Sequence, residues 1–377
     1  MRVQFISFLL LQLICLNLTV DLGTYYKEYI ESFGYKLEEN PVITDDGYIL
    51  SLWHLNPKFP NGKTVFFQHG FTCTAWIFFH LGENSLPFYL LKEGYDIWLA
   101  NNRGSYFSPG HISKDPKDPK SGYNNYSMDD FVASDMPAMV KYIKERTGAK
   151  KMTFIGHSQG TTLFLMAMMH DPIFTEESFD NFISLGTVPN LAHSKFLPID
   201  ILDMIYDLLR RATFLQALNL PELLRELLAT LAKEHPKVFG KIFDTLASIY
   251  PSGRMDYINI YNLLYYFPGG ISKINLFHWS QIHQMKKLVY YNPNFHEEKT
   301  AKEYNLENLK KWKIKSLVTR SDDDSFGSYQ DVTDFYDAVE DKSVIKLLEL
   351  TSYGHLDVLF AESAINDIFK PIIEFIK

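Results

Sequence analysis

The sequence predicts an α/β fold, with a mostly parallel sheet that carries helices on both faces and with an inserted helical cap. Short apolar strands alternate with helical segments over the first half of the chain, as in sheets built with helical crossovers. This alternation stops near residue 187, and leucine-rich helical patterns then follow one another. Strand patterns return after residue 305. We therefore expect a core made of residues 21–186 and 306–377 and a cap made of residues 187–305.

Length and composition are those of a globular protein. The chain has 377 residues, of which 46% are apolar and 22% are charged, so a large core with one insertion is expected. These values exclude a disordered or fibrous chain. The formal net charge of -8 offers no basic surface for nucleic acid or for an anionic membrane, and we expect neither as a partner.

The first twenty residues have the pattern of a signal peptide. Arg2 precedes a short apolar stretch that Gln12 and Asn17 interrupt, and this stretch is short for a membrane span. An uncleaved membrane anchor is the alternative. Residues 1–20 therefore predict entry into the secretory pathway, with a secreted or a lysosomal or vacuolar destination.

Two further features concern that compartment. Removal of the signal peptide would take Cys15 with it, and Cys73 would remain without a disulfide partner within the chain. Asn125 begins an Asn-Tyr-Ser sequon in a polar segment, which makes it a candidate for N-glycosylation. The sequon has a meaning only if the chain enters the secretory pathway.

The early strands follow one another along the chain. Val42–Leu55 predicts a hairpin, because Asp46-Gly47 is a typical two-residue turn between apolar runs. Thr64–Gln68 and Tyr95–Leu99 are short apolar runs of the kind that form buried strands. These segments supply the first strands of the predicted sheet.

A helix, a strand and a second helix come next. Met128–Thr147 has the apolar spacing of a helix, and Ser127 with Asp130 forms a pattern like a capping box at its start. Lys151–Ile155 predicts a strand, and Gln159–His170 predicts a helix. The turn between this last strand and helix contains the strongest motif of the chain.

The second half of the chain predicts the cap and the end of the core. Leu197–Leu218 and Pro221–His235 are leucine-rich segments with helical spacing. Ile314–Thr319 and Val344–Leu350 predict two more strands. Leu356–Ile376 has an apolar stripe and predicts a closing helix.

The strongest motif is Gly156-His-Ser158-Gln-Gly160, a G-x-S-x-G between a predicted strand and a predicted helix. A serine hydroxyl is a poor nucleophile, so it must stand clear of the backbone beside a base. Flanking glycines permit the tight turn that lifts the side chain out. An ordinary glycine-rich turn is the alternative, but the flanking strand and helix favour a nucleophile at Ser158, as in α/β-hydrolases.

A nucleophilic serine needs a histidine base and a carboxylate that orients the base, and in α/β-hydrolases the acid and then the base follow the serine. Seven histidines follow Ser158, and His355 among them lies in the loop after the last predicted strand. The preceding strand ends at three acids, Asp322, Asp323 and Asp324. Position along the chain leaves the choice among these three open.

The oxyanion of a tetrahedral intermediate needs hydrogen-bond donors. In this fold the donors are the backbone N–H after the nucleophile and an N–H from the loop after an early strand. Gln159 supplies the first. Phe71 is the candidate for the second, because Gln68-His-Gly-Phe71 directly follows the buried strand Thr64–Gln68.

Motifs for metals and cofactors are missing from the sequence. The chain has no H-E-x-x-H motif, no cysteine pair and no glycine-rich phosphate loop, so we expect no metal and no cofactor. His278 and His283 are five residues apart, whereas ligand pairs on helices prefer a separation of three or four. We interpret these two histidines as packing residues of the cap.

Several segments together resemble the acid lipase family of animals, the group that contains gastric lipase and lysosomal acid lipase. The resemblance runs over nearly the whole chain after the signal peptide. It is carried by Gly47–Leu50, Phe67–Phe71, Gly94–Gly104, Gly156–Thr162, Phe277–Gln281 and Tyr353–Asp357. The chain departs from the family at Ser321-Asp322, where a glycine pair is usual, and it lacks the cap cysteines of animal members.

The resemblance implies roles for five residues. Ser158 is the nucleophile, His355 is the general base, and Asp324 is the acid that orients the base. Phe71 and Gln159 are the oxyanion donors. The implied activity is hydrolysis of triacylglycerols or sterol esters at a lipid–water interface, at acidic pH, without a cofactor and without an obligate protein partner.

Two other functions would use the same fold. An acyltransferase would pass the acyl group from the same acyl-enzyme to an alcohol, and the sequence does not separate this activity from hydrolysis. A catalytically inactive lipid-binding protein would keep the fold, but binding alone does not require a base beside a serine. We therefore expect an ester hydrolase.

Overall fold

The computed structural model describes residues 22–212, 217–250 and 253–377. The predicted signal peptide, residues 1–20, lies outside this part of the chain. Within it, no helix combines the length and the apolar character that a membrane crossing requires.

A sheet of nine strands forms the centre of the described residues. Its strands are β1 Leu37–Ile43, β2 Tyr48–Leu55, β3 Thr64–Gln68, β4 Asp96–Leu99, β5 Gly110–His111, β6 Met152–His157, β7 Phe179–Leu185, β10 Lys315–Ser321 and β11 Ile345–Leu350. Their order is β1-β2-β4-β3-β6-β7-β10-β11, and β5 pairs with β2. From β4 to β11 neighbouring strands are parallel, whereas β2 is antiparallel to β1, β4 and β5. The sheet is thus mostly parallel, as the sequence predicts.

The central strand β7 is one that the sequence analysis does not predict. Its polar residues Asp180 and Asn181 come after a single buried phenylalanine and interrupt the apolar pattern. Only the four residues that follow are buried in a row, which is a short apolar signal. The strand is nevertheless held on both sides, by β6 and by β10.

Helices cover both faces of the sheet. They are α1 Leu22–Glu31, α2 Leu86–Lys92, α3 Met128–Asp130, α4 Met136–Thr147, α5 Gln159–His170, α6 Pro172–Ser178, α14 Tyr329–Ala338, α15 Asp357–Phe360 and α16 Lys370–Ile376. A π-helical turn, Phe131–Asp135, joins α3 to α4, and the predicted capping box of Ser127 and Asp130 is present. Along β3, Val65 and Phe67 belong to one hydrophobic core and Phe66 to the other, because successive side chains of a strand point to opposite faces.

The chain between β7 and β10 is mainly helical. It contains α7 Leu197–Arg211, α8 Glu222–Glu234, α9 Pro236–Ala247, α10 Ile260–Tyr266, α11 Lys273–Met285, α12 Phe295–Glu298 and α13 Leu306–Lys310. The prediction of a helix up to Leu218 is wrong, because α7 ends at Arg211 and the short strand β8, Ala217–Leu218, pairs with β9, Ile271–Ser272. Pairing with a distant segment here overrides the local leucine spacing.

The predicted closing helix over Leu356–Ile376 is also wrong in one respect, because it is interrupted between α15 and α16. Ala361 has an extended backbone, with φ −85° and ψ 135°, and it forms a β-bridge with Met255. Asp256 N donates to Phe360 O at 2.9 Å in the same contact. A long-range pairing thus breaks a helix whose apolar spacing continues across the break.

Candidate active site

Ser158 lies in the turn between β6 and α5. Its φ of +54° and ψ of −121° place a residue other than glycine in a strained backbone region. A hydrogen bond to the neighbouring strand β7 holds the turn, because Ser158 N donates to Leu185 O at 3.0 Å. The serine therefore stands at the carboxyl end of β6 in a conformation that the surrounding chain imposes.

The two glycines of the motif allow this turn to pack closely. A Cβ added to Gly160 would lie 2.2 Å from the carbonyl oxygen of Gln68, at the end of β3. A Cβ added to Gly156 would lie 2.8 Å from the backbone carbon of Gly160. A larger residue at Gly160 would force α5 away from β3, and one at Gly156 would force β6 away from α5.

Ser158, His355 and Asp324 form a continuous chain of hydrogen bonds. Oγ of Ser158 lies 2.7 Å from Nε2 of His355. Nδ1 of His355 lies 2.8 Å from Oδ2 and 3.0 Å from Oδ1 of Asp324. All three side chains are buried. The arrangement lets the serine transfer a proton to a ring whose other nitrogen is bonded to a carboxylate.

The loop after β10 orients Asp324. Its Oδ1 accepts hydrogen bonds from Phe326 N and Gly327 N, each at 2.8 Å, and these bonds aim the carboxylate. Its backbone forms a β-bridge with Ser248, at the end of α9. The side chain is therefore fixed from its own loop and from the helical segment above it.

The two preceding acids are engaged elsewhere. Asp322 is exposed, and its Oδ1 accepts a hydrogen bond from Ser352 N at 2.7 Å. Asp323 is buried, and its Oδ1 accepts one from Tyr250 N, while burial raises the pKa of the carboxyl. Of the three acids, the structure thus brings Asp324 to the histidine.

The two predicted oxyanion donors lie beside the serine. Phe71 lines the same cavity as Ser158, and Gly70 before it lies so close that an added Cβ would be 2.9 Å from the serine Cβ. Thr72, after it, has a positive φ of 53°, which turns the loop sharply. Gln159 follows the serine directly and begins α5.

Comparison with known proteins agrees with this geometry. Residues 63–242 match the family model described as the alpha/beta hydrolase fold, and residues 26–82 match one described as a partial alpha/beta-hydrolase lipase region. A putative lipase structure from Sulfolobus solfataricus superposes with a TM-score of 0.56 at 14% identity, over 91% of this chain and 98% of that one. The chain has the α/β-hydrolase fold. This confirms the predicted fold class.

Two known lipases are similar to this chain over most of its length. Lipase member K of Homo sapiens is 27% identical, over 95% of this chain and 92% of that protein. Gastric triacylglycerol lipase of Bos taurus is 29% identical, over 92% and 89% of the two chains. The predicted resemblance to the acid lipases is confirmed. The relatives and the fold together support a serine ester hydrolase.

Two histidines near the serine, His69 and His157, are buried. Burial lowers the pKa of His69 to about 4 and that of His157 to about 3. His69 donates from Nδ1 to Gly70 O at 2.9 Å and accepts at Nε2 from Asn102 N at 3.2 Å. His69 therefore braces the loop that carries Phe71, a role that the sequence analysis did not assign.

Trp279 and Phe326 also belong to the site, although the sequence analysis named neither as a site residue. Trp279, on α11, donates from Nε1 to Oε1 of Gln159 at 2.7 Å. The ring of Phe326 lies 5.3 Å from that of Trp279 and 5.2 Å from that of His355. Their signal was indirect, since Trp279 lies in the Phe277–Gln281 segment that resembles the lipases.

An apolar cavity of about 150 Å³ opens at Ser158. Ser158 and His355 lie in its wall. The remaining lining is largely apolar and includes Phe243 of α9 and Leu263 of α10. The reacting groups therefore face a site that suits a hydrocarbon chain.

His278 and His283 are both buried, and each forms a hydrogen bond within the protein. Nε2 of His278 donates to Val289 O at 2.6 Å, and Nδ1 of His283 lies 2.7 Å from Oδ2 of Asp203. Among the described residues, a separate cluster of His193, Asp331 and Asp334 has ligand-type atoms within 4.8 Å of one another. Asp331 in this cluster accepts hydrogen bonds from N and Nδ1 of His193, and Oδ2 of Asp334 lies 3.9 Å from the same Nδ1.

Proposed function

We propose that this protein hydrolyses carboxylic esters of lipids through an acyl-enzyme on Ser158. One observation carries the proposal: Oγ of Ser158 lies 2.7 Å from Nε2 of His355, whose Nδ1 lies 2.8 Å from Asp324. A serine needs this spacing to give its proton to a base whose tautomer a carboxylate holds. The lipase relatives and the fold support lipid ester hydrolysis as the activity.

The proposed reaction has two halves. Nε2 of His355 takes the proton of Ser158 as Oγ attacks the ester carbonyl carbon, and the charge develops on the former carbonyl oxygen. The bond to the alcohol oxygen then breaks, and this oxygen takes the proton from His355, which leaves an acyl-serine. Water gives a proton to the same histidine as its oxygen attacks the acyl carbon. The bond from that carbon to Oγ then breaks, and Oγ takes the proton back from His355, which releases the carboxylic acid and the free serine.

Three further residues would support these steps. The backbone N–H groups of Phe71 and Gln159 would donate to the oxyanion, and one such donor contributes on the order of 3 kcal/mol in serine hydrolases. Asp324 would accept a hydrogen bond from Nδ1–H of His355 and stabilise the imidazolium that forms.

The proposed substrates are triacylglycerols or sterol esters at a lipid–water interface. We assign residues 187–305 to a cap over the serine, in keeping with the apolar lining that Phe243 and Leu263 give the cavity. On the outside of α7, Met204 is 84% exposed and Leu208 is 69% exposed. An exposed apolar helix face of this kind suits contact with a lipid surface.

The proposed compartment is the secretory pathway, with a secreted or lysosomal destination. Removal of residues 1–20 as a signal peptide would place the chain there. Asn125 is exposed, so its side chain is accessible for glycosylation. N-terminal sequencing of the natural protein tests the cleavage.

Labelling of the serine tests the proposed mechanism. A fluorophosphonate probe should label the wild-type protein, which should also release fatty acid from a triolein or cholesteryl oleate emulsion. Ser158→Ala should lose both properties because it lacks the nucleophile. Equal labelling of the alanine variant would overturn the assignment of Ser158.

The same assay separates the competing functions. Adding an alcohol acceptor should leave fatty acid as the main product of a hydrolase, whereas an acyltransferase would form the new ester. A lipid-binding protein without catalysis would bind the emulsion and release neither product.

A further inference from the structure

A second apolar cavity adjoins the one at the serine. Its volume is about 300 Å³, against about 150 Å³ for the cavity that Ser158 lines. Helices α7 and α11 supply most of its described lining. The two cavities share Phe71, Phe196 and Phe326, so these three aromatic side chains form the wall between them.

The lining of this α7–α11 cavity suits hydrocarbon. Ile199, Leu202 and Leu276 contribute apolar side chains to it. Lys273 is the charged residue in its described lining, and its Nζ donates to Ala212 O at 3.0 Å, so the charge already has a partner. A polar or charged ligand group would lose its hydration there without gaining many hydrogen bonds. An alkyl chain needs no hydrogen bonds, so its burial in this cavity carries no such cost.

An ester has an acyl arm and an alcohol arm, one on each side of the bond that breaks. The position of His355 decides which arm each cavity receives. His355 lines the cavity at the serine, and its Nε2 has to protonate the oxygen of the leaving alcohol. The alcohol arm therefore extends into that cavity. The acyl arm leaves the tetrahedral carbon in a different direction from the alcohol oxygen and the oxyanion, and the larger cavity lies across Phe71 and Phe326 from the cavity at the serine.

We propose that the α7–α11 cavity is the acyl-chain site and that Leu202 and Leu276 limit the length of the chain that it accepts. The smaller cavity at the serine takes the alcohol arm. This assignment rests on the proposed function, and it deepens that function by naming which arm of the ester each cavity receives.

Filling the α7–α11 cavity tests the proposal. The experiment measures kcat/KM of the full chain on p-nitrophenyl butanoate and dodecanoate, which vary the acyl arm, and on butyl and dodecyl acetate, which vary the alcohol arm. Leu202→Trp should lower the dodecanoate to butanoate ratio by about tenfold or more, because the indole occupies space that the long chain needs. The dodecyl to butyl acetate ratio should change by less than about twofold.

Two matched tryptophan variants serve as controls. Leu263 lines the cavity at the serine, and Leu263→Trp should lower the ratio of the acetates instead. Ile173 is 69% exposed on α6, and Ile173→Trp should change neither ratio. If Leu202→Trp does not fold, Leu202→Ala enlarges the same cavity, and it should raise the rate on hexadecanoate relative to dodecanoate.

The outcomes distinguish this proposal from the proposed function. Cleavage of p-nitrophenyl butanoate by the wild type supports ester hydrolysis independently of the cavity. Given that activity, an unchanged acyl ratio in folded Leu202→Trp and Leu202→Ala would overturn the acyl-site assignment, and a change confined to the acetates would reverse the two arms. A wild type that cleaves no ester would overturn the proposed function itself.

Discussion

Three consecutive aspartates show how neighbouring residues of one type acquire different chemistry. Asp322 is exposed, while Asp323 and Asp324 are buried. Asp324 accepts two backbone N–H groups and faces His355, so its carboxylate is fixed and paired. Asp323 has a raised pKa because burial disfavours its charge. The surroundings of each carboxyl therefore decide its role, since the residue type is the same.

We expect Asp324→Asn to lower kcat on p-nitrophenyl butanoate by roughly 10³- to 10⁴-fold while the protein stays folded, because the amide cannot hold the required histidine tautomer. Asp322→Asn is the matched control. It should lose far less, since a solvated carboxylate contributes only a screened field.

Steady-state kinetics with circular dichroism as the folding check compares these variants. Asp323→Asn joins the series to cover the remaining acid. A greater loss of kcat at Asp322 or Asp323 than at Asp324 would contradict the assignment of the acid.

At the scale of elements, the site depends on the contact of β6, α5 and β3. The turn at Ser158 is strained, with φ +54°, and the close packing of Gly160 against Gln68 of β3 helps to hold it. The same strand leads into the loop of Phe71. One contact between backbone elements thus bears on the nucleophile and on a proposed oxyanion donor together.

Gly160→Ala should disrupt this contact. The added methyl group would overlap the carbonyl oxygen of Gln68, at 2.2 Å, so we expect a loss of unfolding free energy of about 1–3 kcal/mol and a large fall in kcat. Urea unfolding and kinetics measure the two effects.

Gly148→Ala separates backbone strain from disruption of the site. Gly148 caps α4 with a positive φ of 73°, and nothing lies within 4 Å of an added Cβ. This control should cost about 1–2 kcal/mol and keep full activity. Full activity in Gly160→Ala would show that the contact does not position the serine.

At the scale of the whole molecule, buried neutral histidines link stability to pH. Burial lowers the pKa of His69 and His80 to about 4 and that of His157 to about 3, against an ordinary value near 6.5. Below about pH 6.5 the unfolded chain therefore binds protons that the folded protein does not. The stability due to these groups is full above that pH and falls as the pH drops toward 4.

His80→Gln tests this linkage away from the catalytic residues. His80 stacks on Phe360 and bonds to Asp256 O at 3.0 Å through Nε2, and a glutamine amide can replace that donor. Between pH 7 and 5 the wild type should lose on the order of 2 kcal/mol more unfolding free energy than the variant. Urea unfolding at each pH measures the difference, and parallel pH profiles would contradict it.

The sequence by itself determined the class of fold and the order of the chemical groups. The strand, turn and helix around Ser158 are local features, and apolar spacing with flanking glycines encodes them over about a dozen residues. The location of His355 after the last strand, and of an acidic group after the strand before it, follows from chain order. The choice of Asp324 required the resemblance to a family, because chain order alone did not separate three adjacent acids.

Tertiary contacts decided the remaining features. Ala361 leaves its helix to bridge Met255, and polar residues within β7 do not prevent its burial between two strands. Trp279 reaches Gln159 from 120 positions away, and the cavity at the serine brings side chains of α9 and α10 to Ser158 and His355. Local periodicity records which side of a segment is apolar, whereas the partner that covers this side is selected by packing among segments that are distant in the chain.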